Sequence, residues 1–342
     1  MSRRIRVLNL ALQGGGAQGA FTWGALDRLL ENPDLGFEGI SGTSSGALNA
    51  AVFAQGLMDG GRDGARRTLA GFWERVAGTF SILFAFPSFH PVWPLESPGA
   101  PLPLNNVLKL AREFSPYELN PLGHNPLRGI LDDIIDFDAL RERSPVQLFV
   151  SATQIRTGKL RVFDTAELTI DSLLASACLP SLAHAIHIDG EPYWDGGFTG
   201  NPPVFPLIFE CRSPDVLVIV VQPLERHSTP TSAEEIRARM LELTFSAAFL
   251  REMRAIAISK QHIRRNWLPG GNLERLIDRL NVHILHDPKA VDGLVDGNRA
   301  RNLHAHIRRL HDLGYAAADS WLHRNHEQIG TRSTVDLAAE FC

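Results

Sequence analysis

Residues 5–19 read IRVLNLALQGGGAQG, and this stretch decides the fold. Its first eight residues are a short apolar run with branched side chains, cut off at Gly14-Gly15-Gly16. Such a run suits a strand buried on both faces of a parallel sheet, and the glycines suit a tight turn at its end. Residues 17–31 then place Phe21, Ala25 and Leu29 at four-residue steps, with Trp23, Leu26 and Leu30 beside them. That is the broad stripe of a helix packed on the sheet.

The alternation continues outward from there. Phe37-Glu38-Gly39-Ile40 reads as a short strand, GTSSG at 42–46 as a turn, and ALNAAVFAQGL at 47–57 as a central helix with almost no polar face. Further strands are expected at 147–153, 160–163, 215–223 and 281–286, and helices at 63–79, 105–113, 127–135, 172–179, 233–265, 272–280 and 302–328. Strands alternating with helices predict an α/β fold of three layers, a central mostly parallel sheet with helices on both faces. Residues 1–223 are expected to form the core, with 224–342 a mainly helical extension packed on the same domain.

Composition sets the outer limits. The chain has 342 residues, 44% hydrophobic and 21% charged, which excludes disorder, collagen and a small disulfide scaffold. With 34 basic and 38 acidic residues, it has no overall basic field for nucleic acid. Cys178, Cys211 and Cys342 are odd in number and form no CxxC pair, so they read as reduced thiols. The apolar stretch after Arg3, Arg4 and Arg6 is too short, and lacks the small-residue site, for a signal peptide. No run approaches the roughly 18 apolar residues of a span. These features give an expected cytoplasmic location, with peripheral contact at the inner membrane face.

Three segments carry chemistry. Gly14-Gly15-Gly16-Ala17-Gln18-Gly19 formally fits GxGxxG. A dinucleotide site would want an acidic residue closing the next strand, and Asp34 lies before that strand. The other reading is an anion hole, with backbone N–H groups brought together at a helix N-terminus. Gly42-Thr43-Ser44-Ser45-Gly46 is a GxSxG sequence between a strand and an apolar helix, the context of a nucleophile elbow. Ser44 as a plain helix cap is the alternative. Trp194-Asp195-Gly196-Gly197 taken alone is a turn.

Taken in order, glycine loop, GTSSG and DGG resemble the patatin-like phospholipase family, over about residues 5–223. LLASACLPSL at 173–182 and Asn201-Pro202-Pro203 resemble it too. The resemblance implies an ester hydrolase acting on lipids, with Ser44 as nucleophile, Asp195 as general base, and the Gly14, Gly15 and Gly16 N–H groups as the oxyanion hole. Gly19, Gly42, Gly46, Gly196 and Gly197 complete the motifs. The family loop often carries Arg or Lys where this chain has Gln18, so no side-chain charge helps there. An acyltransferase with the same dyad, a nucleotide-binding protein and a catalytically silent lipid-binding protein are the competing readings. A Ser–His–Asp triad would need one of His184, His187, His283 or His304 near Ser44.

No metal or cofactor is called for: the chain has no HExxH, paired cysteines or EF-hand loop. Residues 80–104 hold six prolines, five aromatics and one charge, Glu96, and read as a lid or interfacial loop inserting Phe84, Phe86, Phe89 and Trp93 into lipid. Residues 251–265 carry five basic residues and one acid, the pattern of a helix that meets anionic head groups or a solvated face. The oligomeric state is not legible.

Overall fold

The computed structural model describes residues 5–85, 114–226, 228–265, 271–287 and 303–342. Its centre is one eight-stranded sheet: β1 (Arg6–Leu12), β2 (Leu35–Thr43), β3 (Gln147–Gln154), β4 (Leu160–Asp164), β5 (Ile186–Ile188), β6 (Glu191–Asp195), β7 (Asp215–Ile219) and β8 (Asn281–Leu285). The strand order is β5-β6-β3-β2-β1-β7-β8, with β4 paired to β3. β3-β2-β1-β7-β8 run parallel, and β4, β5 and β6 join antiparallel.

Why the middle strands are apolar throughout is visible in β7. Leu217 and Ile219 enter one core and Val216 and Val218 the other, because successive side chains leave a strand on opposite faces. Over the first face pack helices α1 (Gly19–Leu30), α2 (Ser45–Ala85) and α5 (Leu303–Asn325), through Phe21, Leu26, Phe53, Leu69, Leu310 and Trp321. Over the second packs α4 (Ala233–Arg265), through Phe249, Met253 and Ile256, with the short helix Phe205–Glu210 beside it. Helix α3 (Ile170–Ser176) lies between β4 and β5 in sequence. The three-layer α/β architecture is therefore present, with helices on both faces.

The two helices expected at 47–57 and 63–79 are both present; they follow one another directly within α2 and are separated by a non-helical break at Gly60–Gly61, where Gly61 has φ +59°. β5 and β6 are strands that the sequence does not predict; only residues 194–197, at the end of β6, read there as a turn. The helix expected at 105–113 and most of the 80–104 loop, including Phe86, Phe89 and Trp93, lie outside the described residues. Among the described residues no helix is long and apolar enough to cross a membrane.

Candidate active site

β2 and β6 end against each other. One edge of β3 pairs first with β2, up to Thr43 opposite Ser151, and then with antiparallel β6, starting at Asp195 opposite Ala152. β4 holds the other edge of β3. Thr43 and Asp195 therefore occupy consecutive register positions, and two motifs far apart in sequence meet at one point in the sheet.

Ser44 follows Thr43 in the left-handed region, with φ +54°. A non-glycine residue there is strained, and the surroundings must hold it. Its N–H donates to Ser176 Oγ at 2.9 Å, from the end of α3. Two residues on, a Cβ on Gly46 would stand 2.1 Å from the Leu12 carbonyl oxygen, so the turn packs onto the end of β1 only with glycine. Gly42 abuts the Ala47 N–H side of the same turn, and Gly19 abuts Ser45. Ser44 ends up 8% exposed at the start of α2.

Asp195 is fully buried. Its N–H donates to the Cys178 carbonyl at 2.8 Å, and its carbonyl accepts from Thr153 Oγ1 at 2.8 Å. Oδ1 accepts the Gly197 N–H at 2.8 Å, whereas Oδ2 is buried with no hydrogen-bond partner. Burial pushes the carboxyl up to about 7, against the opposing pull of the Gly197 N–H and the nearby Ser44 hydroxyl. The hydroxyl approaches the carboxyl without closing a hydrogen bond onto Oδ2. A contact of this kind often tightens only when substrate binds. A Cβ on Gly196 would meet the Ser151 carbonyl at 2.4 Å, which accounts for a glycine directly after the acid.

The glycine loop lies across this turn. A Cβ on Gly14 would sit 2.7 Å from the Ser44 Cβ. The Gly14 N–H donates to Asn201 Oδ1 at 2.7 Å and the Gly15 N–H to Ser45 Oγ at 3.1 Å. Gly16 and Ala17 open a single 3-10 turn, and among the described residues their N–H groups have no protein acceptor. Gln13 anchors the loop from behind, its Oε1 accepting from the Val221 and Gln222 N–H groups at 2.8 and 2.9 Å. Ser45, Ser176, Gln13 and Asn201 are thus part of the site, and sequence reading assigned none of them a role. The available signal was a lone polar residue inside a small or apolar run.

The histidines stand elsewhere. His184 Nε2 donates to the Pro116 carbonyl at 3.1 Å, and its ring stacks on Tyr117 at 4.1 Å. His187 is exposed on β5 and His304 on α5. His283 pairs with Asp215 at 3.0 Å on β8, three strands from β2. At about 4.8 Å per strand that is roughly 14 Å from the serine strand. Cys178, beside Asp195, is held as a thiol, with burial pushing it up to about 12. A groove of about 540 Å³ lined by Gln147, Phe149, Phe205 and Phe209 opens toward the other end of β3 from Ser44. Among the described residues no group of His, Cys, Asp and Glu could hold a metal ion.

The sequence model of the patatin-like phospholipase family matches residues 10–208, which takes in the glycine loop, the GTSSG turn and the DGG segment. The chain belongs to the patatin-like phospholipase family. It is accordingly placed among lipid hydrolases. Two solved structures are similar to this patatin-like chain. VipD from Legionella pneumophila shares 16% identity with a TM-score of 0.41, over 93% of this chain and 67% of that one. The heterodimeric ExoU–SpcU complex from the type III secretion system of Pseudomonas aeruginosa shares 18% with a TM-score of 0.31, over 92% and 75%. A search of curated proteins found no match.

Proposed function

We propose that this patatin-like protein is a serine acyl hydrolase that cleaves carboxylic esters of lipids through Ser44 and Asp195. One observation carries the reading: a buried carboxylate oxygen with no hydrogen-bond partner, held beside a serine at a strained strand-to-helix turn. A serine hydroxyl is a weak nucleophile near neutral pH and needs an adjacent base. A carboxyl held near 7 is far better matched to that task than one in water.

In the proposed reaction Asp195 Oδ2 takes the Ser44 proton as Oγ attacks the ester carbonyl carbon. The carbonyl oxygen becomes an oxyanion. Gly16 and Ala17 N–H are the donors proposed for it, since Gly14 and Gly15 already hold the loop in place. One preorganised donor contributes about 2.7–4 kcal/mol in other hydrolases. Collapse breaks the ester C–O bond, and the leaving alcohol takes the proton from Asp195. Water then attacks the acyl-serine, gives its proton to Asp195, and releases the acid as Ser44 regains the proton. Transfer to a second alcohol would use the same acyl-enzyme, and product analysis separates the two. A dinucleotide role is less supported, because the end of β2, where the ribose acid would stand, carries Thr43 and Ser44.

The test is labelling with a fluorophosphonate and mapping of the adduct by mass spectrometry. A single adduct on Ser44, absent in Ser44→Ala, is expected. Folded protein that takes no label sinks the proposal.

A further inference from the structure

Helix α4 has a second face that the core does not use. Its inward side is Phe245, Phe249, Met253 and Ile256, all buried. At 3.6 residues per turn the opposite side passes through Ile236, Met240, Leu243, Arg251, Arg254, Ile258 and Arg265, within an arc of about 80°. Ile236, Met240, Leu243 and Ile258 are 42%, 63%, 47% and 50% exposed. Large apolar side chains lined up on an outward face are unusual in a surface helix, which normally turns polar residues to water.

The charges on that face have one sign. Arg251, Arg254 and Arg265 are exposed, and among the described residues none of the three has an ion-pair partner. No carboxylate falls in the arc: Glu235 lies to one side, and Glu242 and Glu252 point inward. Glu242 is paired with Arg226, and Glu252 accepts the Val204 and Phe205 N–H groups. The stripe therefore joins exposed apolar groups to unpaired guanidinium groups along a helix of 33 residues, about 50 Å long.

The same helix reaches the active site from its inner side. Phe245 packs on Phe198 at 4.9 Å between ring centres, and a Cβ on Gly197 would overlap its ring. Glu252 holds Val204 and Phe205, just after Asn201, which fixes the glycine loop. What settles on the outer face thus sits one helix diameter from the segment that carries Asp195.

We infer that the outward face of α4 docks the protein on an anionic lipid surface. Its apolar half would enter the acyl boundary and its arginines would meet the head groups. A protein partner would need carboxylates facing the arginines and an apolar cleft for the leading half. A lipid surface meets both demands with no further specificity, and the inference rests on the lipid-hydrolase reading for that surface being the substrate's own.

The experiment is vesicle flotation of the full chain carrying Ser44→Ala, so that no lipid is consumed. Vesicles are phosphatidylcholine alone or with phosphatidylglycerol. The chain is expected to float with the anionic vesicles and to be released by salt. Ile236→Ser, Met240→Ser and Leu243→Ser together should weaken binding by about tenfold or more. Arg251→Ala, Arg254→Ala and Arg265→Ala together should erase the preference for phosphatidylglycerol. Thermal unfolding checks that each variant is folded, and the single changes Met240→Ser and Arg254→Ala serve if a triple variant is not. No flotation, or flotation unchanged in the variants, overturns the inference. So does a dimer in size-exclusion chromatography that the apolar variant dissolves, which would assign the face to a second copy. Binding is read without turnover, so it is independent of Ser44 labelling. A chain that labels but does not float loses only the docking face, and one that floats but does not label loses only the hydrolase reading.

Discussion

At Asp195 the fold holds a carboxyl where its charged form is disfavoured, and two measurable consequences follow from the same burial. The first concerns rate. The base must be ionised to take the Ser44 proton, so kcat/KM on a soluble ester should rise with pH through about 7 and then level off. Asp195→Asn should lower kcat by about three orders of magnitude or more and remove that rise. A retained pH step in the variant would assign the titration to another group. The second consequence concerns stability, with the opposite sense. The folded carboxyl sits near 7 and the unfolded one near its ordinary value of 3.8, so the folded chain binds more protons between those limits. Stability contributed by this group is therefore full below the unfolded value and falls as pH rises through the window. The full difference amounts to roughly 4 kcal/mol. Asp195→Asn, which cannot ionise, should raise the thermal midpoint clearly at pH 8 and less at pH 5, read by calorimetry. An equal or negative shift at pH 8 would mean that the carboxylate is better solvated than its burial implies.

Elements bring the two reactive residues together, and they differ in how far the sequence betrays them. β1, β2 and the turn at 42–46 are local: an apolar run, glycines, then an apolar helix, each within a window where periodicity shows. α4 has the bounds its periodicity predicts, 233–265, because no proline or glycine interrupts it. β5 and β6 are three and five residues long and are joined through Asp189 and Gly190. Asp-Gly there and again at 195–196 reads as turn, and nothing local says that β6 completes an edge of β3 begun by β2. Ser176 and Asn201 lie in segments that carry the family resemblance, but their roles are not legible there, since their partners are Ser44 and Gly14 across the fold. The donor set could not be narrowed from sequence either, because glycine spacing does not reveal which N–H groups the loop uses on itself. Asn201→Ala should therefore act on the loop. It leaves the buried Gly14 N–H without an acceptor, at a cost of about 1–3 kcal/mol. The expected kinetic signature is a fall in kcat of about tenfold or more with KM nearly unchanged, because the loop is called on in the transition state. A change in KM alone would place Asn201 in substrate binding instead.

On the scale of the whole molecule, the residues after 223 enter the same sheet and both helical layers. β8 extends the sheet beyond β7, α5 covers α1, and α4 closes the second core. The joint between β7, β8 and the chain near 330 is a buried polar knot. Asp215 Oδ1 accepts from His283 Nε2 at 3.0 Å and from the Gly330 N–H at 2.8 Å, while His283 Nδ1 meets Thr334 Oγ1 at 3.2 Å. Asp215→Ala would leave the His283 ring and the Gly330 N–H without their acceptor inside the protein, each worth about 1–3 kcal/mol. Asp215 begins β7, two strands or about 10 Å from β2, whereas Ser44 follows the opposite end of β2, so hydrolysis by the folded variant should be close to wild type at low temperature. What should change is the unfolding midpoint, lower by several degrees, with the transition still single. A single transition that moves as a whole would mean that 224–342 and the patatin core melt together. If instead an early step split off, leaving a second transition at the wild-type temperature, the C-terminal part would be a separate unit resting on the core. The loss would then belong to that part alone.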